Sequence, residues 1–337
     1  MILCLLQTVF FSGCSKSYEK FTDYSFDYFD TATTVIGFEE SQQAFEKNCT
    51  MIKSWLEEYH KLYDIYTLYD GITNLCVLNK SQGKELAVDK KIIDLLLYAK
   101  QLYSKTDKTN IALGSVLSVW HDYREQGMSD PSKAELPPND ILTDAAGHID
   151  FENVIIDSKN NTVKITDKSL KLDVGAIAKG FAAQEVAEKM LENGIEGYLL
   201  NLGGNVKTVG KRKDGEKWKV GIENPDTDSK EAYIQKLELE DMSLVTSGSY
   251  QRFYTVNGKN YHHIIDPKTL YPADYFLSVS VLCEDSALAD GLSTALFCLP
   301  YEDGKKLVES IDGVYAMWFT KEKEQLYSKG FKNFCYD

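Results

Sequence analysis

Residues Leu244–Pro272 read LVTSGSYQRFYTVNGKNYHHIIDPKTLYP, a short span holding a Thr-Ser-Gly-Ser turn, two histidines and an Asp-Pro corner. Phe253, Thr255 and Tyr261 belong to β-prone runs, and Asn257-Gly258 between them tolerates the positive φ angles of a tight turn. A hairpin is expected here. Side chains alternate along a strand, so Tyr261–Ile265 turns His262 and His263 to opposite faces, and Asp266-Pro267 ends the run because proline has no N–H for a ladder. One histidine is therefore free to face a pocket. A strand histidine alone is more often a packed group than a catalyst.

Working outward, three further segments punctuate the chain: LDVGAIAKGFA (172–182), NLGGNVKTVG (201–210) and ALADGLSTALF (287–297). The first predicts a strand, a glycine turn and a helix that buries Phe181, Val186 and Met190 and stops at Gly194. A helix start exposes unpaired N–H groups that suit a diphosphate, and Lys179 adds a positive charge there. A plain connection with a solvated lysine fits the same residues. In the second segment, paired glycines let backbone approach a ligand or simply make a tight turn. In the third, a helix begins near Ser286, capped by Asp285 or Ser286. Asp290 and Thr294 are four apart and share one face of it, offering hard oxygens of the kind magnesium takes. By itself such a pair is usually only a polar face.

These four segments together resemble the ApbE family, the FAD:protein FMN transferases, and the resemblance extends from Tyr28 to Phe319. It implies an α+β fold of mixed, largely antiparallel sheets with packed helices. The elements alternate accordingly, although periodicity alone allows other α/β arrangements. The implied reaction is Mg²⁺-dependent transfer of the FMN half of FAD to a Ser or Thr hydroxyl of an acceptor flavoprotein, releasing AMP. A Mg²⁺-dependent FAD pyrophosphatase and a non-enzymatic FAD-binding surface lipoprotein are the alternatives.

By position in the motifs, the resemblance assigns the metal to the Ala176 carbonyl, Asp290 and Thr294. Catalysis falls to His263 as base, to Asp266 as its orienting group or as a holder of the loop, and to Lys179. Flavin contacts fall on Phe29, Tyr66, Lys108, Thr109, Asn110, Asp173, Lys179 and Ile264. Three places depart from the family. Phe29-Asp30-Thr31 stands for a Met-Gly-Thr, Asn110 for an aspartate, and Leu270-Tyr271 falls where the pattern HIIDPxTGxP has its glycine. Asn110 keeps the ability to hydrogen-bond an isoalloxazine edge but loses the charge.

The remainder is read from pattern. Thr31–Phe38 is β-rich. Glu39–Tyr59 shows a helical stripe of Phe45, Cys49, Ile52, Leu56 and Tyr59, and Asp89–Tyr103 shows another of Ile92, Ile93, Leu96, Ala99 and Tyr103. Residues 127–140, rich in Pro, Ser and Asp, predict a surface loop. Strands are expected at Val154–Ile156, Val163–Ile165, Leu170–Asp173, Tyr198–Leu200, Lys217–Ile222, Ala232–Leu239 and Val314–Phe319, and a helix at Gly304–Ile311.

With 337 residues and 43% apolar content the chain can bury a large core. Its net charge of −14, with lysines dispersed among acids, argues against a nucleic-acid partner. Seven cysteines without CxxC or Cys-His spacing indicate neither a zinc site nor a disulfide framework. Ile2–Phe11 is apolar but half the length of a membrane span, and Ser12-Gly13-Cys14 follows it. This pattern fits a lipoprotein signal over 1–14, with Cys14 carrying lipid, residues 15–27 as a tether, and a flavin transferase domain over 28–337. The expected location is the extracytoplasmic face of the cell membrane; the opposing reading is an apolar terminus with a chance cysteine.

Overall fold

The computed structural model describes residues 17–250 and 252–336. The expected signal segment and Cys14 lie outside the described residues. Eight strands form one antiparallel sheet in the spatial order Glu19–Tyr28, Thr31–Glu39, Tyr198–Leu202, Asn205–Val209, Ser243–Gly248, Phe276–Cys283, Tyr315–Thr320 and Gln325–Tyr327. The expected α+β class, with antiparallel sheets and packed helices, is what the chain adopts.

Strand periodicity explains why this sheet is covered on both faces. On Phe276–Cys283, Val279, Val281 and Cys283 turn toward one core and Leu282 to another. The first core takes the apolar stripes of the helices Gln42–Tyr63, Lys90–Thr106, Ala178–Glu192 and Ser286–Phe297, among them Ile52, Leu56, Ile92, Leu96, Met190 and Leu292. The second is closed by the hairpin Trp218–Glu223 and Tyr233–Leu239. A third cluster joins the helix Gly114–Ser129 to the hairpin Phe253–Val256 and Lys259–His262 through Val116, Trp120, Tyr254 and Val256.

Two helices cross closely at Gly180. A methyl placed there would lie 2.3 Å from the Ser286 carbonyl oxygen and 2.4 Å from Asp290 Cβ, so only glycine admits this approach.

The structure departs from the sequence reading in several places. Residues 15–27, expected as a tether, enter the sheet from Glu19, because Phe21 packs on Phe45 and the strand pairs along Thr31–Glu39. Leu170–Asp173 makes no ladder. Its backbone is satisfied instead by Asn79, whose amide clamps both Leu172 N–H (2.7 Å) and Leu172 C=O (2.9 Å), and by the Ile111 carbonyl, which accepts from Asp173 N–H. The strand expected through Ile265 stops at His262, with one further bridge between Ile265 and Pro272. The loop expected over 127–140 begins later, since the preceding helix runs to Ser129 and another starts at Asn139.

Candidate active site

A cleft of about 340 Å³ opens between the first core and the third cluster. It is lined by every residue singled out above as a site candidate except Asp266: Phe29, Tyr66, Lys108, Thr109, Asn110, Asp173, Ala176, Lys179, His263, Ile264, Asp290 and Thr294 all reach it. Its size falls in the range of small-molecule sites, about 300–1,000 Å³.

The floor is built where the helices 178–192 and 286–297 meet. Asp290, 4% exposed, accepts a hydrogen bond at Oδ2 from Gly180 N–H at 2.8 Å. That N–H is one of the donors a helix start leaves unpaired. Because Asp290 takes it, no N–H among the described residues engages the Ala176 carbonyl. Burial pushes the Asp290 carboxyl up, while Lys179, Gly180 N–H and the Asn205 amide pull it back. The Asp173 carboxyl is likewise pushed up by burial, against Gly175 N–H, His121, Lys179 and Arg124. Thr294 Oγ1 lies 3.5 Å from Ser247 Oγ; the Thr-Ser-Gly expected as a turn is instead the end of the strand Ser243–Gly248, paired with Phe276–Cys283. Lys179 Nζ reaches the Gly175 carbonyl at 3.3 Å.

The two histidines separate as expected, although the strand ends at His262 and His263 lies just beyond it. His262 is buried, donating from Nε2 to the Ala273 carbonyl (2.8 Å) and accepting Ile264 N–H at Nδ1, with its ring edge-on to Phe297. His263 faces the cleft, its Nδ1 3.3 Å from the Arg252 carbonyl. A nitrogen facing a carbonyl must carry the proton, so in the neutral ring Nε2 holds the free lone pair. Burial, reinforced by the positive Arg252, lowers the His263 pKa to about 3.

Asp266 does not reach His263. It forms a buried ion pair with Lys108, Nζ to Oδ1 at 2.7 Å, and accepts Lys268 N–H at 2.9 Å. Of the two roles open to it, holding the loop is the one the contacts support. Where the family has glycine, Leu270 takes φ = 62°, a left-handed turn held by Leu270 N–H on the Asp266 carbonyl and Trp120 Nε1–H on the Leu270 carbonyl. Asn110 is occupied by the fold: its amide donates to the Ile149 carbonyl and its oxygen accepts Ala112 N–H, both at 2.9 Å. Thr109 Oγ1 donates to the Gly291 carbonyl at 2.8 Å.

Aromatic rings shape the mouth. Phe29 stands edge-on to His60 at 5.7 Å, in a turn where Phe29 and Asp30 both have positive φ. Tyr66, 59% exposed, leans on the His121 ring at 5.6 Å. Arg124 Nη2 donates to His121 Nδ1 at 2.8 Å, and Arg252 Nη2 donates to the Asp30 carbonyl at 2.9 Å. The sequence reading missed His121, Arg124, Arg252 and Asn205. Composition held a signal for two of them, because the chain has only three arginines, Arg124, Arg212 and Arg252, and two of these line the cleft.

An antiparallel sheet backed by helices, with one cleft gathering a helix start, a lysine, a neutral histidine and a carboxylate–hydroxyl pair, defines an α+β protein built to hold a phosphorylated ligand. The ApbE family model matches residues 23–318. The chain is 31% identical over 268 residues to the FAD:protein FMN transferase of Klebsiella pneumoniae, spanning 79% of this chain and 80% of that one. To the FAD:protein FMN transferase of Treponema pallidum it is 33% identical over 273 residues, spanning 76% and 73%. The crystal structure of the ApbE protein of Thermotoga maritima superposes with a TM-score of 0.81 at 25% identity, covering 95% of this chain and all of that one. The flavin transferase ApbE of Vibrio cholerae superposes at 0.77 with 23% identity. The chain belongs to the ApbE family.

Proposed function

We propose that this chain transfers the FMN half of FAD to a Ser or Thr hydroxyl of an acceptor protein and releases AMP. The observation that carries this reading is the convergence of Lys179, His263, Asp290 and Thr294 from three separate segments on one cleft. The acceptor oxygen bonds to the phosphorus on the riboflavin side, the anhydride bond to AMP breaks, and the hydroxyl proton passes to His263 Nε2. The neutral ring leaves a lone pair at Nε2 to receive that proton. Lys179 draws off charge from the phosphates, Asp266 and Lys108 fix the 263–272 loop, and Tyr66 and Phe29 supply ring surface for the isoalloxazine.

The donor set fits a hard divalent cation. Asp290 brings one carboxylate, Thr294 a hydroxyl, and Ala176 a carbonyl that no described N–H occupies. Among the described residues no group of three or more His, Cys, Asp or Glu side chains is gathered for a metal. Three protein oxygens would leave an octahedral cation sites for water and phosphate oxygens, as Mg²⁺ prefers. When bound, Mg²⁺ supplies charge neutralisation to the diphosphate.

We further infer a lipid anchor at Cys14 on the extracytoplasmic face of the membrane, supported by the apolar run and small residues before that cysteine. Among the described residues no helix is long and apolar enough to cross a membrane.

Incubation with FAD, Mg²⁺ and a candidate acceptor domain, read by intact mass and nucleotide chromatography, tests the reaction. An FMN adduct with one AMP released per adduct supports it. Free FMN and AMP beside an unmodified acceptor would point to hydrolysis, and intact FAD to storage.

A further inference from the structure

We propose that Asn205 is a positioning residue for Asp290, its amide N–H steering the carboxylate toward a divalent cation; this rests on the reading of Asp290 as a metal ligand.

Asn205 begins a strand directly after the Gly203-Gly204 turn, whose φ angles of 59° and 90° bring the chain hard against Thr31. The side chain is 1% exposed yet lines the cleft. Its Oδ1 accepts Ser286 Oγ–H at 2.9 Å, while the buried Nδ2 makes no hydrogen bond of good geometry and yet stands close enough to Asp290 to draw its carboxyl down. A buried donor without a well-formed partner is costly, so its placement calls for a role. The mechanism above gives this group no task.

Position supplies one. Ser286 and Asp290 are four residues apart on one helix and share a face, and Asn205 spans them from the neighbouring strand. A methyl on Gly180 would meet Asp290 Cβ at 2.4 Å and Asn205 Nδ2 at 3.1 Å, so the amide and the carboxylate crowd the same point. The amide orientation follows from charge. With its oxygen on Ser286 it presents a donor toward a carboxylate, whereas the flipped amide would set oxygen against oxygen. Gly180 N–H fixes Asp290 Oδ2 from one side, and Asn205 limits its rotation from the other. Partners that orient a metal ligand in this way are worth about 10- to 100-fold in metal affinity.

The test titrates Mg²⁺ alone into the full chain by calorimetry, and separately measures FAD binding in EDTA by flavin fluorescence. Wild type is compared with Asn205→Leu, the near-isosteric Asn205→Asp, and Ser286→Ala. Expected are Mg²⁺ binding weakened about 10- to 100-fold in Asn205→Leu, less in Ser286→Ala, and tighter in Asn205→Asp than in Asn205→Leu because the added carboxylate brings a hard oxygen, with metal-free FAD binding falling by a smaller factor than Mg²⁺ binding in Asn205→Leu and Ser286→Ala. Wild-type Mg²⁺ affinity in Asn205→Leu overturns the proposal, as does equal loss of Mg²⁺ and metal-free FAD binding in all three variants, which marks a purely structural role. A wild type that takes up no Mg²⁺ overturns the metal reading first, and the role of Asn205 with it.

Discussion

Lys108 and Asp266, 158 residues apart in sequence, meet as a 2.7 Å ion pair with both side chains 5% exposed. The pair ties the end of the 90–106 helix segment to the loop carrying His263. Breaking a buried pair by removing one partner costs about 3–5 kcal/mol, since the other charge is stranded. Asp266→Leu and Lys108→Met should therefore each lower the denaturation midpoint strongly, and the double variant Lys108→Met/Asp266→Leu should recover much of the loss. Additive losses in the double variant, measured by urea unfolding, would contradict the pairing.

His263 gives a kinetic prediction with a definite sign. Its pKa is lowered to about 3, so the ring is already unprotonated across the neutral range. It should produce no inflection near its ordinary value of about 6.5 in kcat/KM of the free enzyme. His263→Gln is expected to lower kcat/KM about 10²- to 10⁴-fold at every pH from 5 to 8. An acid limb near 6.5 that vanishes in the variant would defeat the neutral-ring account.

Asp64 caps the 42–63 helix and organises the segment bearing Tyr66. Its Oδ1 accepts Tyr66 N–H (2.7 Å) and Thr67 N–H (3.0 Å), and its Oδ2 accepts Tyr69 Oη–H (2.9 Å). Burial pushes this carboxyl up, but those donors outweigh it and hold the pKa below its ordinary value. A depressed folded pKa means the contribution is fully present above the unfolded value of about 3.9 and fades as pH falls through the folded one. Asp64→Asn should cost about 1.5–3 kcal/mol at pH 7. Thermal melts of variant and parent should converge on acidification below pH 4.

Asp290→Ala removes the single carboxylate of the proposed cation set. Loss of several kcal/mol of charge stabilisation corresponds to a fall of roughly 10²- to 10³-fold or more in Mg²⁺-dependent turnover. Because burial already disfavours this charge, the variant should melt no more than a few degrees below the parent. Undiminished turnover in a coupled AMP assay would refute the assignment.

Local pattern carried much of this into the sequence. The Asn257-Gly258 hairpin, the opposite facing of His262 and His263, and the Asp285 cap before Asp290 are short-range consequences of turn chemistry and period, and they stand where expected. The relations that escaped are long-range. Asp266 finds Lys108, Asn79 clamps Leu172, and Asn205 meets the 286–297 helix across separations that no periodicity encodes. Leu170–Asp173 looked like a strand because Leu170 and Leu172 alternate with polar residues, but alternation reports burial and not a neighbouring ladder. The 15–27 segment follows the expected lipid anchor and so reads as a tether, whereas the contact of Phe21 with Phe45 that holds it on the sheet is long-range and leaves no local pattern.

Arg124 and Arg252 stand inside the shell of a chain whose formal charge is −14. At a distance that shell repels a dinucleotide bearing two phosphates, whereas at the mouth the guanidinium groups attract it over only a few ångströms. Dissolved salt screens the far field first, beyond about 8 Å at physiological ionic strength. Moderate salt should therefore quicken capture of FAD in stopped-flow mixing, the reverse of what a cationic funnel displays.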